Sequence, residues 1–167
     1  MIILQAIGVG LFVIFFVIVF RGAPYVPTHK KSIKQLFSSG LIKKQDVIID
    51  LGSGDGRLLL AASQRGICSY GYELNPILVL VSCWRTRRFR RLTTTHLRDF
   101  WLSAFPDDTT VVYVFLATHY MKRLDMIMQR EASRLGRGLT LISHGVDIEH
   151  KSPDELHGAL LVYRYQP

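Results

Sequence analysis

Cysteine is scarce in this chain, and so is negative charge. Its 167 residues hold two cysteines, Cys68 and Cys83, and 13 acids against 21 lysines and arginines. Two cysteines in this spacing make neither a disulfide framework nor a metal site, and both lie in apolar stretches where cysteine acts as a small core residue. A reducing compartment and a site without metal are therefore expected. Repeats and low-complexity stretches are missing as well, which leaves one domain with an appendage, long enough for a proper core. The shortage of acids leaves a net charge of +8. A balance that basic suits nucleic acid, an anionic membrane surface or plain solubility.

Charge of either sign is absent from residues 2–20, a run of 19. As a helix it would be about 28 Å long, enough for a thin hydrocarbon core. A secretory signal would add a basic start, a shorter apolar stretch and a small-residue cleavage site, and none of these is present. Arg21 ends the run, and Lys30, Lys31, Lys34, Lys43 and Lys44 follow before the first acid, Asp46. The reading is a single-pass anchor over residues 1–21, with the domain on the cytoplasmic side, or the matrix side in a mitochondrion. The lipid bilayer is then the first partner. Residues 22–45 form a linker and a short helix, and residues 46–167 the domain. In the linker, Pro24-Tyr25-Val26-Pro27-Thr28 is stiff and extended, and Thr28 can cap a helix running to about Ser39 with Gly40 behind it.

A dinucleotide fingerprint is the next thing missing. Val47-Ile48-Ile49-Asp50-Leu51 reads as a buried strand and runs straight into Gly52-Ser53-Gly54-Asp55-Gly56-Arg57. The third glycine comes one residue earlier than the pyrophosphate-binding pattern requires, and Arg57 stands where that pattern wants glycine. With Asp50 at the strand end, this turn suits a ligand with a charged amino acid end and little or no phosphate. S-adenosylmethionine fits that description. A second strand, Cys68 to Glu73, ends in an acid 23 positions after Asp50. An acid there is placed to accept hydrogen bonds from both hydroxyls of a ribose. Asn75 then caps the next helix, with Pro76 at its first position.

Strand and helix signals alternate from there on: a helix from Leu58 to Arg65, strands at 93–97, 111–116, 139–143 and 160–165, and a helix ending at Gly136. The continuous apolar run at 111–116 suits a parallel strand covered on both faces. The helix after Pro76 is apolar on nearly every side through Val81 and then abruptly basic. Its arginines are spread around the axis and read as a solvated C-terminus that complements the helix dipole. Anionic lipid is the second reading. Nucleic acid is the third, and it is disfavoured because no stacking arrangement of aromatics and no reading motif is present.

The glycine turn and the Glu73-Leu74-Asn75-Pro76 step resemble those of the class I, seven-strand, Rossmann-like methyltransferases that use S-adenosylmethionine. The N-terminal apolar segment, Pro24 to Thr28, Asp50 to Arg57 and Gly71 to Pro76 together resemble a narrower group. These are the membrane-anchored protein-lysine methyltransferases of the ATP synthase c-subunit and the adenine nucleotide translocase, with their prokaryotic relatives. The resemblance implies an α/β sheet of seven strands, its closing hairpin abbreviated because residues 144–159 are short for the usual helix and strand. It implies a cofactor site made of Tyr25, Thr28, Asp50, Gly52, Ser53, Gly54, Gly56, Glu73, Asn75, Asp99 and Phe100. In it Asp99 reaches the adenine amino group, while Phe100 or Trp101 lies against the ring. It further implies a membrane-associated protein substrate. Ala117-Thr118-His119-Tyr120 departs from the family's pattern at the acceptor end. A lone histidine at a strand end is more often structural, so no residue is assigned as catalytic base. A small-molecule or lipid methyltransferase would share every cofactor residue, and a non-enzymatic nucleoside-binding module would share the fold.

Overall fold

The computed structural model describes residues 29–167, together with Gln5, Gly8 and Gly10, which are helical. The anchor expected over residues 1–21 and the Pro24–Thr28 segment otherwise lie outside the described residues. Among the described residues, no helix is long and apolar enough to cross a membrane.

Seven strands form one sheet in the order β3-β2-β1-β4-β5-β7-β6. They are β1 (Val47–Leu51), β2 (Cys68–Glu73), β3 (Thr93–Leu97), β4 (Val111–Val114), β5 (Leu139–His144), β6 (Glu155–His157) and β7 (Leu160–Tyr165). The first five pair in parallel, and β7 runs antiparallel between β5 and β6. Ile48 and Ile49 are both fully buried and face opposite sides of the sheet, as do Val111 and Val112. Both faces are covered, so the central strands read as unbroken apolar runs rather than as alternation.

Among the described residues, four helices cover the sheet: α1 (Lys30–Ser38), α2 (Arg57–Ser63), α3 (Pro76–Thr86, continued by a 3-10 turn, Arg87–Phe89) and α4 (Thr118–Leu135). Ile33 and Leu36 of α1 pack with Leu58 and Ala62 of α2 on one face, against Ile48, Tyr113 and Ile142. Met121, Leu124, Ile127 and Met128 of α4 cover the other face, against Ile49, Val112 and Leu141. The crossover from β3 to β4 and the passage from β5 to β6 contain no helix, and β6 is three residues long. The closing hairpin is abbreviated, as its length suggested.

Four expectations need correcting. The N-cap of α1 is His29, without a side-chain cap bond, rather than Thr28. Strand β4 stops at Val114, because Phe115 turns out to 39% exposure while Leu116 tucks back into the core. Cys83 is exposed, since it sits on the side of α3 turned from the sheet, and Cys68 is half-buried. Arg85 is not part of a solvated helix end: it reaches back to the glycine turn, where it binds Asp55.

Candidate active site

The glycine turn is held by the next strand. Gly52 N and Ser53 N donate to the Tyr72 carbonyl at 2.9 and 3.0 Å. Gly54 N donates to Glu73 Oε2 at 2.8 Å, and Asn75 N donates to Glu73 Oε1 at 2.8 Å. One carboxylate therefore joins the turn to the start of α3. Asn75 Oδ1 in turn accepts from Ile77 N at 3.0 Å and Leu78 N at 3.4 Å, the N-cap its identity suggests. Gly56 is required twice over: its φ is +74°, and a Cβ there would meet the Ser82 Cβ of α3 at 2.8 Å. That close approach brings α3 down over the turn. Ser53 Oγ is buried without a hydrogen-bond partner.

Two acids in this turn titrate in opposite directions. Asp50 is 6% exposed. Burial first, then the like charges of Glu73 and Asp55, push its carboxyl up to about 8. The charges acting on it are of its own sign, so a cation placed beside it would relieve the strain. Asp55 is also buried. Burial would raise it, but hydrogen bonds from Arg57 and Arg85, then their charges, outweigh that and hold it well below the carboxylate range. Arg57 Nη2 and Arg85 Nη1 approach Asp55 Oδ2 at 2.7 and 2.6 Å, and Arg85 also donates to the Asp55 carbonyl at 2.6 Å. The ion pairs lock the turn and leave Asp50 as its unbalanced acid.

The carboxyl ends of β3 and β4 carry aromatic rings. Asp99 Oδ1 accepts from Trp101 N at 2.9 Å and shapes the turn after β3. Phe100 is in the core at 8% exposure, its ring centroid 4.5 Å from that of Trp101. Trp101 continues to Tyr120 at 5.5 Å, Tyr120 to His119 at 3.9 Å, and the Arg123 guanidinium lies 4.5 Å over the Trp101 ring. At the end of β5, His144 stands edge-on to Phe115 at 5.2 Å. His144 Nδ1 is buried without a partner, and burial, then the charge of His29, lower its basicity.

The model of the ANTKMT methyltransferase domain family matches residues 50–155, from the first of these acids to the last strands. The chain belongs to that family. It is 31% identical over 137 residues to the ATP synthase c-subunit lysine N-methyltransferase of Homo sapiens, covering 81% of this chain and 57% of that protein. It is 36% identical over 112 residues to the adenine nucleotide translocase lysine N-methyltransferase of Mus musculus, covering 65% and 48%. The chain thus spans about half the length of these curated relatives. Among solved structures, an RNA methyltransferase from Salinibacter ruber in complex with S-adenosyl-L-homocysteine superposes with a TM-score of 0.71 at 29% identity, covering 84% of this chain and 92% of that one.

In this member of the ANTKMT family, Asp50, Gly52, Ser53, Gly54, Gly56, Glu73 and Asn75 converge at the carboxyl ends of β1 and β2. Asp99 and Phe100 sit at the end of β3, with Phe100 turned into the core and Trp101 nearer the rim. Tyr25 and Thr28 lie outside the described residues. The sequence reading missed Arg85 and His144. Arg85 lies 30 positions from Asp55, too far for local spacing to pair them. His144 was one residue beyond the predicted end of its strand.

Proposed function

We propose that this chain is an S-adenosylmethionine-dependent protein-lysine N-methyltransferase acting on a membrane-associated protein. Residues 1–21 serve as a single-pass anchor, 22–45 as linker and pre-strand helix, and 46–167 as the domain. The basic residues after Arg21 put that domain on the cytoplasmic or matrix side. The observation that carries the reading is Asp50: a buried acid with acidic neighbours, at the mouth of a glycine turn, calls for a cationic ligand end. The names of the relatives support the lysine acceptor.

In this reading Asp50 takes the amino group of the methionine moiety. Glu73 takes the ribose, since a carboxylate has about four acceptor positions and two are already used by Gly54 N and Asn75 N. Gly52, Ser53, Gly54 and Gly56 supply the close backbone, Asn75 holds α3 in place, Asp99 meets the adenine amino group, and Phe100 backs the ring through Trp101. Tyr25 and Thr28 cover the methionine end. The cofactor supplies a methyl group on a positively charged sulfur. The lysine Nζ must be neutral to attack, and its proton (pKa about 10.4 in water) must leave. Asp50 and Glu73 would hold the cofactor as it gives up that methyl to the nitrogen lone pair and keeps the C–S electron pair on sulfur. The protein's part is alignment of the two reactants.

The test is to incubate the full chain and native membranes with methyl-labelled cofactor, then digest and extract. Label released as methylated lysine by protease, and lost with Glu73→Gln, is the expected result. Label in the lipid extract would make the enzyme a lipid methyltransferase, and label in RNA a nucleic-acid one. No cofactor affinity in the parent chain would leave only a binding module.

A further inference from the structure

Helix α3 wears four of its large apolar residues on the outside. Ile77, Leu80, Val81 and Trp84 are 56, 70, 36 and 65% exposed. Their spacing of three, four and seven places them on one face of the helix. The buried residues are instead Ser82 and Thr86, and Ser82 Oγ is hydrogen-bonded to Thr95 of β3 at 2.7 Å. A stripe so exposed adds little to folding, and contiguous exposed apolar surface marks an interaction site. At its C-terminal end the stripe meets positive charge. The Arg87 guanidinium lies 4.5 Å over the Trp84 ring. Beside it is a groove of about 450 Å³ lined by Gln64, Trp84, Arg85, Arg87, Arg88 and Phe89. Residues 74–98 contain six arginines and no acid, and Arg87, Arg88, Arg90 and Arg91 are exposed.

We propose that the outer face of α3 and the arginine groove at its end are a docking surface for an anionic phospholipid bilayer. Aliphatic side chains next to a tryptophan and a cluster of arginines match the layered chemistry of a membrane interface: acyl chains for Ile77 and Leu80, the headgroup boundary for Trp84, and lipid phosphates for the arginines. A second copy of the chain would set these arginines against their own kind, a repulsion that disfavours self-association. Single-stranded RNA would call for a series of stacking rings, and Trp84 is the one aromatic residue in the stripe. Leu97, 57% exposed at the carboxyl end of β3, extends the apolar surface toward the candidate site. The inference rests neither on the proposed reaction nor on the N-terminal anchor.

The test uses the full chain with vesicles of phosphatidylcholine, alone or with about 30% phosphatidylglycerol, whose brominated acyl chains quench nearby indoles. Subtracting the emission of Trp84→Phe isolates Trp84 from Trp101. The expected result is a drop of about twofold or more in Trp84 emission with the anionic vesicles, clearly less with neutral ones. Arg87→Glu/Arg88→Glu and, separately, the exposed Leu80→Glu should each remove the drop while the thermal melt stays that of the parent. Equal quenching by both vesicles, no quenching, or quenching that survives Arg87→Glu/Arg88→Glu would overturn the proposal. So would Trp84 shielded from aqueous iodide without any lipid quenching, which would mean that the chain's own N-terminal segment covers the stripe. Shielding from iodide by a short RNA, with no lipid quenching, would overturn it in favour of nucleic acid. Co-sedimentation with the neutral vesicles reports the N-terminal anchor separately, so the two readings fail independently.

Discussion

At the residue scale, Asp50 sets the chemistry. In the folded, ligand-free chain it holds its proton up to about pH 8, whereas its ordinary value is 3.8. Between those values the native state binds more protons than the unfolded one, so this group makes the ligand-free chain lose stability as pH rises through that window. Asp50→Asn removes the effect: its melting temperature should exceed the parent's at pH 8 by at least a few degrees, and the gap should narrow as pH falls and close only near pH 4. The same variant should weaken S-adenosylmethionine about a hundredfold, for loss of roughly 2–3 kcal/mol of charged hydrogen bonding. On the proposed reading, the cationic end of the cofactor would favour ionised Asp50 in the parent. Binding below pH 8 should therefore release a proton, read by calorimetry in two buffers of different ionisation heat. Proton release that persists in Asp50→Asn would place the titration elsewhere.

The positions of Asp50 and Glu73 at strand tips beside the glycine turn were legible because a β-branched run ending in an acid and glycines is a local pattern. Arg85 was not, because what determines it is the distance between α3 and the turn, and the sequence between them does not encode that distance in any short pattern. Its effect is measurable. Arg85→Ala leaves the buried Asp55 with one of its two cations and should cost about 2–3 kcal/mol in a denaturant melt at neutral pH. Asp55 titrates low when folded, so its contribution is present above the unfolded value near 4 and fades as pH falls below it. The penalty of Arg85→Ala should shrink accordingly in acid.

At the scale of elements, the strands were readable because β-branched runs bounded by glycine leave few alternatives. Strand β4 ran short of its predicted end because an apolar residue, Phe115, faces His144 instead of joining the ladder. Helix α3 was harder. An apolar segment ordinarily turns its apolar side inward, yet here the turn demands a close fit, and only small side chains such as Ser82 let the helix descend onto Gly56. Gly56→Ala tests that fit: a Cβ in a left-handed backbone position and against Ser82 should lower stability by about 2–4 kcal/mol. Ser82→Gly in the same chain should recover the part due to contact and leave the backbone strain. Full recovery would show that the left-handed conformation costs nothing.

On the scale of the whole molecule, the uncharged run at 2–20 and the fold are separable claims. Leu11→Asp with Phe15→Asp places two charges near the centre of the run, costing on the order of 5 kcal/mol of insertion. The double variant should no longer sediment with neutral vesicles, while its melting curve and its cofactor affinity stay those of the parent. A loss of affinity as well would tie residues 1–28 to the pocket, as the Tyr25 and Thr28 reading requires of the segment's later part.

One bond pattern reaches across all three scales. Glu73 grips the glycine turn with one oxygen and the Asn75 amide of the α3 cap with the other, so the same acid is a bolt for the turn and for the helix that follows it. Events on the two sides of that helix are consequently not independent. Whatever factor a filled pocket contributes to the hold of α3 on an outer partner, that partner must return to the pocket, by reciprocity of binding free energies. An enzyme of this shape would sense the surface it rests on through a single carboxylate.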